Sequence, residues 1–288
     1  MINISVVIPT YNRIDLLEKT LISLCNQTMM KSTYEVIVVD DGGTDNARDV
    51  CDKYIPKLNI RYFWQRDIGF RAGKARNIGI AAAEGKYIVF IDSGVLLQQN
   101  ALERHLSVHE KSDQPLACIG YVYGFEIPEN IFAFVTKNID AHDVDASVKV
   151  LKEANALDIR QSQYDELGSS ISCWPAPFDI FWTCHVSAER DELIKVGMFD
   201  ESYNTWGGED VDLGIRLFIG NNKFYMTPEI CSVHVPHKKE VDDHNQASES
   251  AAEKIHKKYN LWQTAYYNLP SNDEKFSLNK TIHEFTAE

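Results

Sequence analysis

The sequence has no paired cysteine motif and no long apolar run, and these absences exclude several classes of protein. Its six cysteines are scattered without a Cys-x-x-Cys pair, which argues against a disulfide framework or a zinc site and predicts reduced core residues. No run of about 18 apolar residues occurs, so we expect no transmembrane segment. Residues 1–4 lack the basic region of a signal peptide, so we expect a cytoplasmic protein.

Positive charge is also scarce. The net charge of −13 argues against a nucleic-acid partner or an anionic membrane. Against this background, one basic cluster occurs between residues 66 and 76, where the only acid is Asp67. Its members are Arg66, Arg71, Lys74 and Arg76. The cluster is a candidate anion site, although a solvated helix face would show the same pattern.

The first hundred residues alternate between strand and helix patterns. We predict four strands and three helices there. The strands cover residues 4–9, 34–39, 60–64 and 87–91, and the helices cover residues 14–25, 44–54 and 72–83. This alternation predicts an α/β fold, with a mostly parallel central sheet flanked by helices.

The second half of the chain is less regular. We predict strands at residues 116–123, 178–183 and 223–226, and helices at residues 144–157, 188–196 and 245–268. His105 and His109 lie four residues apart on a predicted helix without nearby acids, and we expect them at the surface.

Polar or acidic loops follow three of the predicted parallel strands, at residues 10–13, 40–43 and 92–94. The carboxyl ends of parallel strands share one edge of an open sheet, and ligands bind there. We call these three loops the loop edge and expect them to line one cleft.

A further candidate site is Trp206-Gly207-Gly208-Glu209-Asp210-Val211-Asp212-Leu213, called the acid segment below. The two glycines allow a tight turn and close approach to a ligand. A helix-like run then begins with two carboxylates. An N-terminal cap would explain one acid, but it would not explain an aromatic residue and two glycines before a pair of acids.

Four stretches, in this order, resemble the inverting family 2 glycosyltransferases of the GT-A fold. They are residues 5–13, 36–42, 75–80 and 85–92. The acid segment, with Phe199-Asp200-Glu201 before it, is similar to the acceptor segment of galactosyltransferases. The resemblance covers residues 1–240 and implies a nucleotide-binding half (1–100), an acceptor half (101–240) and a C-terminal helical extension (241–288).

The resemblance implies a binding site for a nucleotide-sugar donor, with UDP as the expected nucleotide. Asp41, with Asp40 beside it, would accept a hydrogen bond from the base, although a turn closing the strand would also explain both acids. The residues expected to contact the nucleotide are Pro9, Thr10, Tyr11, Arg13, Asp41, Arg71, Lys74, Arg76, Asn77, Asp92 and Ser93.

The family's Asp-x-Asp metal motif is incomplete, since this chain has Asp92-Ser93-Gly94 and Gly94 offers no side-chain oxygen. The resemblance leaves two ways to balance the charge of the diphosphate. His234 or His237 would complete the shell of a divalent metal, Mn or Mg, on Asp92, with imidazole favouring manganese. Alternatively, the basic cluster would neutralise the diphosphate without a metal.

The resemblance also assigns the chemistry. Asp210 would take the proton of the acceptor hydroxyl as general base, and Glu209 would bind acceptor hydroxyls. Trp206 would stack on a sugar, with Gly207 and Gly208 shaping the acceptor site. The acceptor would be a saccharide, a peptide, a natural product or a lipid-linked molecule.

Two alternatives remain. A catalytically impaired GT-A domain would bind nucleotide or glycan without turnover, because Gly94 replaces a metal ligand. A nucleotidyltransferase is the least favoured, because the chain lacks a glycine-rich N-terminal signature with a following lysine. A nicotinamide-binding fold is disfavoured as well, since no G-x-G-x-x-G follows the first strand.

Overall fold

A computed structural model describes residues 1–237, 244–268 and 277–286. Its centre is a mixed sheet of eight strands in the order β3-β2-β1-β4-β7-β6-β8-β5. The strands are β1 (Ile4–Thr10), β2 (Tyr34–Asp40), β3 (Ile60–Trp64), β4 (Tyr87–Ile91), β5 (Val95–Leu97), β6 (Leu116–Tyr123), β7 (His185–Glu189) and β8 (Lys223–His234).

The described ranges also contain α-helices, and several of them pack against this sheet. In chain order they are α1 (Ile14–Cys25), α2 (Ala47–Tyr54), α3 (Ala72–Ala82), α4 (Ala101–Lys111), α5 (Glu129–Asn138), α6 (Val144–Glu153), α7 (Gln161–Leu167), α8 (Arg190–Lys195), α9 (Glu209–Ile219), α10 (His244–Tyr259) and α11 (Leu278–Thr286). None of the helices in the described ranges has the length and apolarity needed to cross a membrane.

The strands of the first half form the parallel sheet that their apolar runs predict. β3, β2, β1 and β4 pair in parallel, in that order. Their side chains alternate between two apolar cores, with Val7 in one and Val6 and Ile8 in the other. Both faces are therefore covered, which explains why these strands are continuous hydrophobic runs. This arrangement places the loop edge at one end of the parallel strands.

The second half of the sheet is not mostly parallel. β7 pairs antiparallel with both β4 and β6, and β5 pairs antiparallel with β8. The last strand is also longer than predicted, because β8 continues from residue 226 to residue 234 to pair with both β6 and β5. This extension brings His234 beside Val95, three residues after Asp92.

The predicted strand at residues 178–183 is wrong. Residues 177–180 instead form a 3-10 helix with Pro177 in its first turn, where a proline is well tolerated. The carbonyl of Ile180 accepts a hydrogen bond from the buried guanidinium of Arg160 (3.0 Å). The strand comes later in the chain, as β7. The helix that was predicted to begin at residue 188 begins instead at Arg190, as the short α8.

The predicted surface position of His105 and His109 is also wrong. Both are buried, and their rings contact side chains of β7. Ser187 Oγ lies 2.8 Å from His105 Nδ1 and 2.7 Å from His109 Nε2, and His105 Nε2 lies 3.0 Å from His185 Nε2. A polar residue can occupy a core position when it finds hydrogen-bond partners there, although Nδ1 of His109 and Nδ1 of His185 have none among the described residues.

All six cysteines lie in the described ranges as free thiols, as expected for reduced residues. Cys173 is exposed, contrary to the expectation of a core position. The predicted boundary between residues 240 and 241 lies outside the described residues.

Candidate active site

The loops after β1 and β2 are joined at Asp41. Its backbone N–H donates to the carbonyl of Thr10 (2.9 Å). Its buried carboxylate accepts hydrogen bonds from the backbone N–H of Arg71 (2.8 Å) and the side-chain amide of Gln65 (2.5 Å). Asp41 is therefore fixed where the loop before α3 meets the loop edge, and a fixed buried acceptor can recognise a ring N–H.

The neighbouring Asp40 has a different role. Its carboxylate accepts from the backbone N–H of Gly43 (2.7 Å) and the hydroxyl of Tyr62 (2.8 Å). This is the turn that the sequence offered as the alternative for both acids, and the structure forms it with Asp40. A glycine is required at position 42, where φ is +90° and a Cβ would lie 2.3 Å from the backbone nitrogen of Asp67.

The loops after β1 and β4 are also linked. The hydroxyl of Ser93 donates to the carbonyl of Pro9 (3.1 Å). Tyr11 is exposed, and its hydroxyl donates to Asp67 (3.1 Å), which raises the pKa of Tyr11. Arg13, also exposed, donates to Nε2 of His237 (2.8 Å). The three loops thus meet at one edge, as predicted from the parallel strands.

Arg76 connects this edge to the acid segment. Its buried guanidinium donates to Asp92 (2.9 Å) and to Glu209 (3.2 Å). The second carboxylate oxygen of Glu209 is buried and has no hydrogen-bond partner in the part of the chain that the structure describes. A single side chain from α3 therefore brings together two carboxylates more than one hundred residues apart in the sequence.

Asp210, next in the chain, lies in the first turn of α9 and is partly buried. Its carboxylate accepts hydrogen bonds from the backbone N–H groups of Val211 (2.9 Å) and Thr183. Burial and the nearby charge of Glu209 raise the pKa of Asp210 to about 7, against the opposing effect of Arg76. A carboxylate with such a pKa can accept a proton near neutral pH.

Two residues predicted to contact the nucleotide hold the chain just before the acid segment. The side-chain amide of Asn77 donates to the carbonyl of Phe199 (3.0 Å), and its oxygen accepts from the N–H of Phe199 (2.8 Å). Lys74 forms an ion pair with Glu201 (3.8 Å). Within the acid segment, Trp206 is half-buried just before the paired glycines.

The predicted metal ligands come from segments that lie side by side. The N–H of Val235 donates to the carbonyl of Gly94 (2.9 Å), and the rings of His234 and His237 are 5.2 Å apart. Both histidines therefore lie beside the loop that carries Asp92. Gly94 has a φ of +97°, a conformation that glycine adopts far more readily than aspartate.

These residues do not form a complete metal site by themselves. In the described ranges, no group of three or more His, Cys, Asp or Glu side chains could hold a metal. One oxygen of Asp92 binds Arg76 (2.9 Å), and Nε2 of His237 accepts from Arg13 (2.8 Å). A cation here would need further ligands from a bound substrate, such as diphosphate oxygens.

The roles of two residues that hold the site in place were not predicted from the sequence. Gln65 was not distinguishable from any polar residue after a strand. Asp212 belongs to the acid segment. The one sign of its position in the sequence is its spacing of three residues from Glu209, which places both on one face of a helix. Asp212 is fully buried and binds Arg216 (2.7 Å) rather than lying in the cleft.

Two family models match the parts of the chain that contain the loop edge and the acid segment. The model for glycosyl transferase family 2 matches residues 5–136, which contain the loop edge. The model for the N-terminal domain of galactosyltransferase matches residues 168–238, which contain the acid segment. The chain belongs to glycosyl transferase family 2.

This family 2 chain is similar to curated proteins of greater length. It is 34% identical over 237 residues to a validoxylamine A glucosyltransferase of Streptomyces hygroscopicus, covering 82% of this chain and 56% of that protein. It is 32% identical over 226 residues to a chondroitin synthase of Pasteurella multocida, covering 75% of this chain and 23% of that protein. The chain thus spans about half the length of the first relative and less of the second.

Solved structures share the fold of this family 2 chain. Residues 1–349 of S. aureus TarS, in complex with UDP-GlcNAc, superpose with a TM-score of 0.63 at 20% identity, covering 99% of this chain and 71% of that one. The mannosyltransferase PcManGT of Pyrobaculum calidifontis, in complex with GDP-Man and Mn²⁺, gives 0.62 at 16% identity, covering 98% and 68%. The fold is GT-A, as the sequence resemblance implied.

Proposed function

We propose that this family 2 chain transfers a sugar from a UDP-sugar to an acceptor hydroxyl, with inversion at the anomeric carbon and with Asp210 as general base. The observation that carries the proposal is the position of Asp210. It follows Glu209, which Arg76 connects to Asp92 at the loop edge, and its pKa is raised to about 7. The structural neighbour bound to UDP-GlcNAc supports UDP as the carrier.

The donor would lie across the loop edge. Asp41 would accept a hydrogen bond from the uracil ring, and Thr10, Tyr11 and Arg13 would surround the base and ribose. The diphosphate would lie over Asp92, near the residues that offer positive charge or hydrogen bonds. These residues are Arg71, Lys74, Arg76 and Ser93, with the backbone of Pro9 behind them, while Asn77 holds Phe199 close to the diphosphate.

The transfer step needs one base. The acceptor oxygen would attack the anomeric carbon from the face opposite the diphosphate and lose its proton to Asp210. The bond between that carbon and the diphosphate oxygen would break, and UDP would leave with the electron pair. Because the transition state is oxocarbenium-like, a carboxylate can act as the base. Trp206 and Glu209 would hold the acceptor, and Gly207 and Gly208 would leave it space.

A divalent metal fits this proposal only when the donor is bound, because the protein alone offers too few ligands in the described ranges. Asp92 and one of His234 and His237 would hold it, with diphosphate oxygens completing the shell. When bound, the metal would supply positive charge that stabilises the leaving diphosphate. The Mn²⁺ in the PcManGT structure supports manganese. Chelation followed by addition of Mn²⁺ or Mg²⁺, with UDP affinity measured in each condition, tests this requirement.

The general base is tested by Asp210→Asn, with the exposed Asp191→Asn as matched control. UDP release from a panel of UDP-sugars with candidate acceptors should fall about 10²- to 10⁴-fold in the Asp210 variant. UDP binding should be retained in both variants, since neither substitution touches the base pocket. Full transfer by Asp210→Asn would show that the base is another residue. UDP binding without turnover in the wild type would favour the impaired GT-A alternative.

A further inference from the structure

One face of α10 lies along the acid segment. The residues of this face are Ala251, Lys254, Ile255 and Lys258, a spacing of three, one and three residues that places them on the same side of a helix. Ala251 and Ile255 are buried, although α10 is polar overall. This helix lies outside both family-model matches, which end at residues 136 and 238.

The first turns of this face contact the loop around the paired glycines. Nζ of Lys254 donates to the carbonyl of Ser202 (2.8 Å) and lies 3.6 Å from the ring centre of Tyr203. Gly208 has a φ of +92°, and a Cβ there would lie 2.8 Å from Cβ of Ala251 and 2.9 Å from the ring of Tyr203. Gly208 is thus enclosed between α10 and Tyr203.

The last turn of α10 contacts the buried Asp212. Nζ of Lys258 donates to Asp212 (2.6 Å) and to Asp200 (2.7 Å), so it joins α9 to the chain before the acid segment. The hydroxyl of Tyr259 donates to the same oxygen of Asp212 (2.8 Å). A fully buried carboxylate is stable only with such partners, and removing one is strongly destabilising to the local structure.

Asp212 and Asp210 project from opposite sides of α9. Two residues correspond to a rotation of about 200° around an α-helix. Asp210 therefore points away from the side of α9 that α10 holds through Asp212. Arg76 holds Glu209 in the same helical turn (3.2 Å). The turn that carries Asp210 is thus held by contacts at the residue before it and at the residue two positions after it.

We infer that α10 is a positioning element of the catalytic centre, and that Lys258 is a positioning residue for Asp210. The inference rests on the proposed function, in which Asp210 is the base. Lys258 touches no substrate in this arrangement. It holds α9 and residue 200 in register, so that the carboxylate of Asp210 faces the acceptor hydroxyl.

The test is Lys258→Met, with the exposed neighbour Lys257→Met as matched control and Lys258→Arg as the conservative variant. In Lys258→Met, kcat should fall about 10- to 100-fold, because small displacements of a reacting group have effects of this size. KM for the donor and UDP affinity should stay within twofold of the wild type. Lys258→Arg should recover most of kcat, and Lys257→Met should match the wild type.

Hydrogen exchange of the full chain gives a readout that does not depend on activity. Exchange at residues 206–213 should become faster in Lys258→Met and stay unchanged in Lys257→Met. If Lys258→Met fails to fold, Tyr259→Phe removes one hydrogen bond to Asp212 and should show the same changes on a smaller scale. An active wild type with unchanged kcat and exchange in the variants would overturn the inference. Absent transfer in the wild type, together with faster exchange, would instead contradict the proposed function.

Discussion

Asp210 and Glu209 are adjacent acids with different surroundings. Glu209 is buried against Arg76, whereas Asp210 accepts hydrogen bonds from backbone N–H groups and is raised in pKa by burial and by the charge of Glu209. The same sequence pair therefore gives one carboxylate whose charge is compensated by an arginine and one that is poised to bind a proton near pH 7.

The raised pKa predicts a pH profile. A base must be deprotonated to act, so kcat/KM should rise with pH up to about 7 and level off above it, falling about tenfold per pH unit on the acid side. Glu209→Gln removes the negative charge that raises the pKa of Asp210, so the midpoint should move to lower pH. The exposed Glu253→Gln should leave the midpoint unchanged. A flat profile between pH 5.5 and 8 would contradict this assignment.

The glycine at position 94, where the family's Asp-x-Asp motif has aspartate, has a conformational reason. With a φ of +97°, the backbone there favours glycine, and a Cβ would lie 3.4 Å from the side chain of Leu16. The sequence identified the missing oxygen ligand, but it could not show that the turn into β5 itself selects glycine.

At the scale of elements, the contact between α4 and β7 depends on a buried imidazole network. Burial lowers the pKa of His109 to about 4 and that of His185 to about 3, and it lowers the pKa of His105 well below its ordinary value. Each ring is therefore neutral in the folded protein, with Ser187 linking two of them. Gly120 allows the close approach, since a Cβ there would lie 2.2 Å from the ring of His185.

This network predicts loss of stability in mild acid. Below about pH 6.5 the histidines of the unfolded chain bind protons that the folded chain excludes, so the free energy of unfolding falls as pH falls toward 4. The decrease should reach up to about 1.4 kcal/mol per pH unit for each histidine. Urea unfolding between pH 7.5 and 5 measures it. His109→Gln should reduce the slope, whereas the exposed His142→Gln should not, and an equal slope in both variants would refute the assignment.

At the scale of the whole molecule, α3 joins the two halves of the site. The residue before α3, Arg71, donates its backbone N–H to Asp41. Within α3, Arg76 bridges Asp92 and Glu209, and a Cβ at Gly73 would lie 3.3 Å from Phe199. In the proposed binding mode, a nucleotide at the loop edge would therefore contact the helix that also holds the acid segment. Donor binding should accordingly stabilise the fold as a unit.

UDP binding should raise the stability of the whole chain. At about 100 times its Kd, UDP should add about 2.7 kcal/mol to the free energy of unfolding, seen as a rise of several degrees in Tm. Asp41→Asn should weaken UDP binding about 10- to 100-fold, since it removes a charged hydrogen-bond acceptor. The exposed Asp52→Asn should bind UDP like the wild type. Equal Tm shifts in all three proteins would exclude Asp41 as the base contact.

Local sequence patterns were sufficient to predict part of the fold. The parallel strands, the helices between them and the convergence of three loops were predicted from apolar runs and turn residues, because these features depend on neighbours in the chain. The family resemblance then implied the GT-A fold and the pairing of a nucleotide site with an acid segment. The strand order was not predicted, so the placement of Asp41 beside Thr10 comes from the pairing of β1 with β2 in the structure.

Other features depend on contacts between residues distant in sequence, and they are visible only in the folded chain. Periodicity treats histidine as polar, so it could not place His105 and His109 in a core where both rings hydrogen-bond to Ser187. No local pattern pairs Arg76 with both Asp92 and Glu209, or Lys258 with Asp212. A charged side chain has no preferred partner until folding removes water from around it, and the packed chain then fixes which opposite charge it meets.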